Sequence, residues 1–242
     1  MGKKVAIIQS NYIPWKGYFD IINMVDEFII YDEVQFTKND WRNRNQIKTP
    51  HGKLWISIPV RQTRLHQKIS EIVVADSIWR GKHWKTICQY YSKAKCFDVY
   101  APMLEELYMG SEEIYLSKIN YHFIRTINSI LGIKTRISFD REYELYGSRT
   151  ERILHLCQQV GASEYFSGPS ARDYIEKEVL DKGGIKLTYF DYSGYPEYSQ
   201  LFPPFDHAVS VIDLILNEGP ESPCYMKTFS GLHGCLPDRL DR

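Results

Sequence analysis

The start of the chain constrains the fold more than any other stretch, because it predicts a strand, a helix and a second strand in close succession. Val5–Ile8 is a short apolar, largely β-branched run that is typical of a buried strand. Gly17–Val25 can form a helix with Phe19 and Ile22 on one face, and Glu27–Tyr31 is a second buried-strand pattern. Elements in this order form a βαβ unit, so the sequence predicts an α/β protein.

The segment between the first predicted strand and helix is dense in aromatic and amide side chains that a plain core segment does not require. Such turns lie at the carboxyl ends of strands in open α/β sheets, where ligands bind, and the next helix offers free N–H groups to an anion. An alternative is that the segment only shapes and packs a turn. We predict that it begins the binding site, with six substrate-binding residues: Gln9, Asn11, Tyr12, Trp15, Gly17 and Tyr18.

The remaining patterns predict how the chain is organised. Apolar residues recur at helical spacing along Glu112–Leu131, and Gly132 follows in the position favoured for a helix end. We predict a Rossmann-like fold with a mostly parallel sheet, flanking helices and a helical insertion or subdomain. The predicted parts are an α/β part at residues 1–78, a helical insertion at 79–132, a second α/β part at 133–220 that completes the same domain, and an irregular tail at 221–242.

Some local patterns make sharper predictions. Thr37–Lys53 has neither helical nor strand periodicity, which predicts a long irregular loop of functional importance. Ser148 and Glu151 have the spacing of a capping box, which predicts a helix start. Ser170 and Asp173 have the same spacing and predict a second helix start.

Composition excludes some classes of function. The 242 residues include 30 Lys and Arg and 30 Asp and Glu, so bulk charge gives no indication of nucleic-acid binding. The beginning of the chain lacks the apolar region of a signal peptide, and no later run approaches the length of a membrane span. We therefore expect a cytoplasmic protein.

The side chains that bind metals do not form a convincing site. Cys224, His233 and Cys235 are the nearest approach to a cluster, but their spacing is not that of a zinc site. We predict no metal. The 18 tyrosines fit a polar, ring-shaped ligand such as a sugar or a nucleotide, although core packing accounts for many of them.

A basic, amide-rich loop follows the second predicted strand. Guanidinium groups bind phosphate in a bidentate manner and an indole can stack on a base or a sugar ring, so the loop suits a nucleotide diphosphate-sugar. The alternative is a solvated basic loop. The predicted substrate-binding residues in and beside the loop are Gln35, Trp41, Arg42, Arg44, Asn45 and Lys48.

Asp32 follows the second predicted strand and is our candidate for a catalytic general base. A carboxylate at the presumed ligand edge can accept a proton from an attacking amine or hydroxyl. The alternative is that Asp32 caps a turn or pairs with Arg44. His83 and His207 are isolated in the sequence, and we interpret both as structural residues.

Two later segments extend the predicted site. A strand, a serine-containing turn and an arginine resemble a late phosphate-binding turn of nucleotidyltransferases, and an aromatic loop follows a later strand. The histidines of those enzymes are missing from the first turn, which weighs against nucleotidyl transfer. The residues predicted from these segments are Ser167, Gly168, Arg172, Tyr198 and Gln200.

In combination, six segments resemble the WbqC-like family over nearly the whole chain. They are Gln9–Phe19, Tyr31–Lys38, Trp41–Lys48, Trp55–Val60, Tyr165–Gly168 and Tyr195–Gln200. Where that family often has Gln-Pro, this chain has Gln9-Ser10-Asn11. Members are typically encoded among enzymes that build O-antigen, the outer part of lipopolysaccharide, and other bacterial surface polysaccharides. The resemblance implies work on a sugar or a nucleotide-linked sugar in the cytoplasm.

The resulting hypothesis is a transferase that attaches an acyl or aminoacyl group to the amino group of a nucleotide-linked amino sugar. The hypothesis implies an activated acyl or aminoacyl donor of unknown identity and no other definite cofactor. Two alternatives remain, a nucleotidyltransferase acting on a sugar phosphate and a non-catalytic sugar-binding partner of a glycosyltransferase. Other enzymes of the polysaccharide pathway and a second copy of the chain are further candidate partners.

Overall fold

A computed structural model describes residues 2–229 of the chain, and its elements follow the predicted α/β order. The strands are β1 Lys3–Ile8, β2 Glu27–Ile30, β3 Arg44–Thr49, β4 Gly52–Ser57, β5 Val60–Arg61, β6 Val73–Val74, β7 Arg136–Phe139, β8 Ala162–Ser167 and β9 Lys186–Tyr189. The α-helices are α1 Lys16–Met24, α2 Ile78–Tyr91, α3 Phe97–Met109, α4 Leu116–Leu131, α5 Arg149–Gln159, α6 Lys177–Lys182 and α7 Val211–Glu218.

A five-stranded sheet in the order β7-β2-β1-β8-β9 forms the centre of the molecule, and each neighbouring pair is parallel. Side chains alternate along β1, so Val5 and Ile7 pack with α5 and α6 while Ala6 packs with α1, α4 and α7. Both faces of the sheet are therefore covered, as parallel sheets require. The predicted Rossmann-like α/β fold is confirmed.

The sheet order determines where a ligand can enter. From β1 the chain continues to β2 and β7 on one side, and it then returns to β8 and β9 on the other side. The order therefore reverses between β1 and β8, and the loops that leave their carboxyl ends diverge and open a crevice between them. In open α/β sheets, ligands bind at this switch point.

The helical block contributes to more than one core. Ile124 and Ile127 of α4 pack on the central sheet, while Leu116 and Phe123 of the same helix pack under the β3–β4 hairpin. Helix α3, which the sequence patterns did not single out within the predicted helical region, lies between α2 and α4 in the chain and contains Pro102. The proposed division into an insertion and two α/β parts stays a prediction.

The long polar segment is not an irregular loop throughout, contrary to our prediction. Arg44–Thr49 is a strand, paired antiparallel with Gly52–Ser57 over six residue pairs. Hydrophobic periodicity misses this strand because its buried positions include the polar residues Asn45 and Lys48. Gly52 makes the tight hairpin possible with φ of +102°, a conformation that glycine adopts without steric cost.

The capping predictions had different outcomes. Ser148 begins α5, as predicted, and the Glu151 carboxylate accepts from the Ser148 N–H at 3.2 Å. Ser170 does not begin an α-helix, because Pro169–Asp173 is a short 3-10 turn and α6 starts at Lys177.

The part of the predicted tail that the structure describes lies against the sheet. It begins within a 3-10 segment, Gly219–Tyr225, and Met226 and Phe229 pack against the central sheet. Residues 230–242 lie outside the described part of the chain. Within residues 2–229, no helix has the length and apolar character needed to cross a membrane.

Candidate functional site

A pocket of about 290 Å³ opens beside the loop that follows β1. Three segments distant in sequence form its walls, namely the loop from β1 to α1, the approach to β3 and the loop that precedes α7. The lining residues are Asn11, Pro14, Trp15, Trp41, Asn45 and Ala208. The structure thus brings together four predicted site residues from two different motifs.

The two asparagines of the pocket have different roles. The Asn45 amide donates to the backbone carbonyls of Tyr12 (3.1 Å) and Ile13 (2.9 Å), which fixes the turn after β1. Ile13 adopts φ of +37°, a strained conformation for a β-branched residue that must be held by its surroundings. The Oδ1 atom of Asn11 is buried and has no hydrogen-bond partner within residues 2–229. Asn11 therefore has an unused hydrogen-bond acceptor at the pocket wall.

Trp15 forms one aromatic wall, and Gly17 makes its position possible. A Cβ atom at Gly17 would lie 2.3 Å from Cζ2 of Trp15, so the indole lies across the first turn of α1 in space that any other residue would fill. The indole also contacts Tyr192 and Tyr195 edge to face, at 4.9 and 5.6 Å between ring centroids. Tyr18 supports the loop from behind, because its hydroxyl donates to the Gln9 carbonyl at 3.0 Å.

Asp32 lies at the end of β2 and is 1% exposed. Its carboxylate accepts hydrogen bonds from the Ser10 backbone N–H (2.9 Å) and the Ser117 hydroxyl. Burial raises the pKa of the carboxyl, while the Ser117 and Ser10 donors and the positive charge of Arg42 oppose the rise. Asp32 thus joins β2, the first loop and α4, and its role as a general base stays a prediction.

The three basic side chains of the loop have different contacts. The Arg42 guanidinium pairs with Asp40 at 3.3 Å, and its buried Nε has no partner within the described chain. The charge of Arg42 acts on the Asp32 carboxyl and the Tyr18 hydroxyl, so its guanidinium lies near the carboxyl ends of β1 and β2. The Arg44 guanidinium lies 4.2 Å from the ring centroid of Trp55, and the buried Lys48 ammonium donates to the Pro204 carbonyl.

Several predicted site residues lie away from the pocket. The Tyr12 hydroxyl is buried against His83 Nδ1 (2.9 Å) and the Tyr108 hydroxyl (2.7 Å). Tyr198 and Gln200 both donate to Asp213 of α7, at 2.7 and 3.0 Å. None of these three side chains lines the pocket, so their contacts with a substrate stay predictions.

The remaining predicted residues lie at the end of β8 or in the segments that follow β2 and β8. Gln35 is exposed and pairs with His66 Nδ1 at 2.8 Å. The Ser167 hydroxyl accepts from Tyr165 at 3.3 Å. Gly168 approaches the Tyr192 hydroxyl, and the Arg172 guanidinium lies 5.0 Å from the Tyr189 ring centroid.

Sequence reasoning missed Lys16, which is 3% exposed behind the Trp15 wall. Its ammonium donates to the Pro196 carbonyl at 3.2 Å and lies 4.8 and 5.1 Å from the ring centroids of Tyr195 and Tyr198. Burial lowers the pKa of Lys16 to about 8. The signal in the sequence was the single charged residue within an aromatic, amide-rich turn.

Two further titratable groups near the crevice were also missed or discounted. Asp140 follows β7 and accepts from the Glu33 N–H at 2.8 Å, and burial raises its pKa to about 7, assisted by the charges of Asp32 and Glu33. His207 has a buried Nδ1 without a partner in residues 2–229, and burial and Lys16 lower its pKa. A strand-terminal aspartate was the available signal for Asp140.

No group of three or more His, Cys, Asp or Glu residues in the described chain is arranged to hold a metal ion. His233 and Cys235, which belong to the cluster considered from the sequence, lie outside the described residues.

The three-layer fold and its pocket define an α/β protein with an aromatic-lined cavity beside the loop that follows its first strand. The profile of the WbqC-like protein family matches residues 9–225, and the chain belongs to that family. Membership suggests a polysaccharide-related role. A relative, the uncharacterized protein Rv1507c of Mycobacterium tuberculosis, is 49% identical over 226 residues, which cover 93% of this chain and 98% of the relative. No solved structure matches the chain.

Proposed function

We propose that this protein acts in surface polysaccharide synthesis as a transferase that attaches an acyl or aminoacyl group to the amine of a nucleotide-linked amino sugar. One observation carries the proposal, namely the pocket between Trp15 and Trp41 with the unpaired Oδ1 of Asn11. An amino sugar matches this arrangement, because its ring faces can pack on indoles while an N–H or O–H group donates to the amide oxygen.

The crevice also offers a place for negative charge. Arg42 lies near the carboxyl ends of β1 and β2 with an unpaired Nε, and a guanidinium can bind a diphosphate with paired hydrogen bonds. Of the basic residues predicted from the loop, Arg42 is the one we assign to the diphosphate. Lys48 supports the fold through Pro204 instead.

In the proposed reaction, the neutral amine of the sugar attacks the carbonyl carbon of the activated donor. An amide bond forms, the bond between the acyl carbon and the leaving group breaks, and the amine proton passes to a base. Asp32 is the proposed base. Because the carboxylate is buried under the Ser10 and Ser117 donors, the amine reaches it only when the loop that carries Ser10 shifts.

Calorimetric titration with nucleotide-linked amino sugars tests the binding step. Asn11→Ala should weaken binding about tenfold, as expected for the loss of one hydrogen bond from a buried site. Gln89→Ala, an exposed change on α2, is the control and should bind like the wild-type protein. The proposal is wrong if the wild-type protein binds no nucleotide-linked amino sugar.

Turnover with acyl and aminoacyl donors tests the chemistry. We expect an N-acylated sugar nucleotide as product, and Asp32→Asn should abolish turnover with little loss of affinity. Release of pyrophosphate from a nucleoside triphosphate and a sugar phosphate would instead identify a nucleotidyltransferase. Tight binding with no product from any donor would identify a non-catalytic sugar-binding protein.

A further inference from the structure

We propose that the exposed indoles of Trp41 and Trp55, together with the Arg44 guanidinium, form a shelf that stacks the nucleobase of the substrate. The inference rests on the proposed function, since it assigns a place to the nucleoside of the nucleotide-linked sugar. Trp41 is also a wall of the 290 Å³ pocket, so the shelf is continuous with the pocket mouth.

The hairpin fixes the shelf. The centroids of the Trp41 and Trp55 rings are 5.3 Å apart with 36° between their planes, and the Arg44 guanidinium is 4.2 Å from the Trp55 ring. Gln46 pairs with Trp55 and Arg44 pairs with Ser57, so Arg44 and Trp55 are diagonal neighbours on one face of the hairpin. The three side chains are therefore arranged before a ligand arrives.

Both indoles keep about two fifths of their surface in water. Trp41 is 42% exposed and Trp55 is 41% exposed. Exposed tryptophan loses the favourable free energy that burial of its large apolar surface would give. Adjacent exposed aromatic groups beside a pocket are typical of a binding surface.

The size of the pocket supports a second binding surface. Its volume of about 290 Å³ is at the lower end of the range for small-molecule sites and accommodates one ring. A nucleotide-linked sugar has a sugar ring, a diphosphate, a ribose and a base. If the sugar ring fills the pocket, the base must lie outside the mouth, where Trp41 and Trp55 present their rings.

The chemistry of the shelf favours a base over a second sugar. Nucleobases stack on aromatic side chains, and a guanidinium stacked on the indole adds a positive charge that attracts the base and its phosphates. The buried Nε of Arg44 has no partner within residues 2–229, so part of the hydrogen-bonding capacity of this guanidinium is unused beside the shelf.

Separate titrations with nucleoside diphosphates and with an amino-sugar 1-phosphate test the shelf. The diphosphates of uridine, guanosine, cytidine, adenosine and thymidine are the first probes, and tryptophan fluorescence quenching is a second readout. Trp55→Ala should weaken the preferred diphosphate about tenfold or more and leave affinity for the amino-sugar phosphate unchanged. Trp55→Phe should restore most of the affinity because the phenyl ring still stacks.

Leu54→Ala is the matched control, since Leu54 is the neighbouring residue of β4 and is 37% exposed. It should leave both affinities unchanged. Equal nucleoside diphosphate affinity in Trp55→Ala and wild type would overturn the shelf, as would a wild-type protein that binds none of the diphosphates. Asn11-dependent binding of the amino-sugar phosphate would in that case leave the proposed function standing. Trp55-dependent diphosphate binding without any amino-sugar binding would retain the shelf and reject the proposed function.

Discussion

Lys16 shows how a single buried charge affects the stability of this fold. Its ammonium is held by the Pro196 carbonyl and two tyrosine faces, and no carboxylate in the described chain forms an ion pair with it. Burial lowers the folded-state pKa of Lys16 to about 8, whereas lysine in the unfolded chain has a pKa of about 10.4. At pH values between these two pKa values the unfolded state binds more protons than the folded state. The contribution of Lys16 to the free energy of unfolding therefore becomes more favourable as pH rises through this range.

Lys16→Met should therefore stabilise the protein near neutral pH. The expected gain in the free energy of unfolding is about 1–3 kcal/mol, because the variant avoids the cost of burying an ammonium. The gain should shrink as pH rises from about 8 to about 10.4, where wild-type Lys16 becomes neutral in both states. Urea unfolding of both proteins at each end of this range measures the difference. An effect that does not vary with pH would contradict the buried-charge explanation.

Gly17 is the residue whose replacement should change the pocket most directly. The added methyl group of Gly17→Ala would overlap the Trp15 indole at 2.3 Å, so the aromatic wall must move. We expect about a tenfold loss of affinity for an amino-sugar 1-phosphate, equivalent to about 1.4 kcal/mol, in calorimetric titration.

Gly81→Ala provides the matched control, because a methyl group at this position in α2 meets no atom within 4 Å. It should leave affinity unchanged and raise the free energy of unfolding by about 0.5–1 kcal/mol, through helix propensity alone. Unchanged binding in Gly17→Ala would show that Trp15 does not shape the site.

At the scale of elements, α7 anchors the loop that runs from β9 to the pocket. Asp213 of α7 accepts from the hydroxyls of Tyr91 and Tyr198, each at 2.7 Å, and from the Gln200 amide at 3.0 Å. Ser210 begins the helix by accepting from the Ile212 N–H. The loop thus reaches Ala208, in the pocket wall, from a fixed helix.

Tyr198→Phe should weaken this anchor. Loss of one donor to a buried carboxylate is expected to lower the free energy of unfolding by about 1–3 kcal/mol. Chemical denaturation measures this loss, and limited proteolysis should cut the 192–208 loop faster. The control is Tyr146→Phe, at an exposed position, which should change stability by less than about 0.5 kcal/mol. Equal stabilities of the two variants would contradict an anchoring role.

At the scale of the whole molecule, shared cores join the helical block to the sheet. Like α4, helix α7 packs one face on the sheet and another under the β3–β4 hairpin. Leu214 and Ile215 pack on the sheet, and Ile212 and Leu216 pack under the hairpin. Two helices therefore contribute to both cores, and neither core is complete without them.

We expect the described part of the chain to unfold in one transition, although its length exceeds the range in which this is usual. A variant with Phe at Trp15, Trp41 and Trp55 retains only Trp79 and Trp84, both in α2, so its fluorescence reports on the helical block. Its fluorescence and far-UV circular dichroism should have coincident urea midpoints. Two separate midpoints would show that the block folds independently.

Local and periodic signals were sufficient for most of the fold. The βαβ start, the helix that ends at Gly132 and the capping box at Ser148 depend on contacts between near neighbours in the chain. Strand β3 could not be predicted in this way, because its buried side chains include the Asn45 amide and the Lys48 ammonium, which are paired by distant segments.

The sequence by itself determined the α/β class and placed an aromatic, amide-rich turn between the first strand and the first helix. Tertiary structure decided which of the predicted site residues meet. Asn11, Trp15, Trp41 and Asn45 share one pocket, whereas Tyr12, Lys48 and Tyr198 are satisfied by partners elsewhere. The physical reason is that a polar side chain is free to bind a ligand only when no other residue of the folded chain satisfies its hydrogen bonds. The residues that satisfy Tyr12, Lys48 and Tyr198 lie far from them in the sequence or can be identified only from the fold.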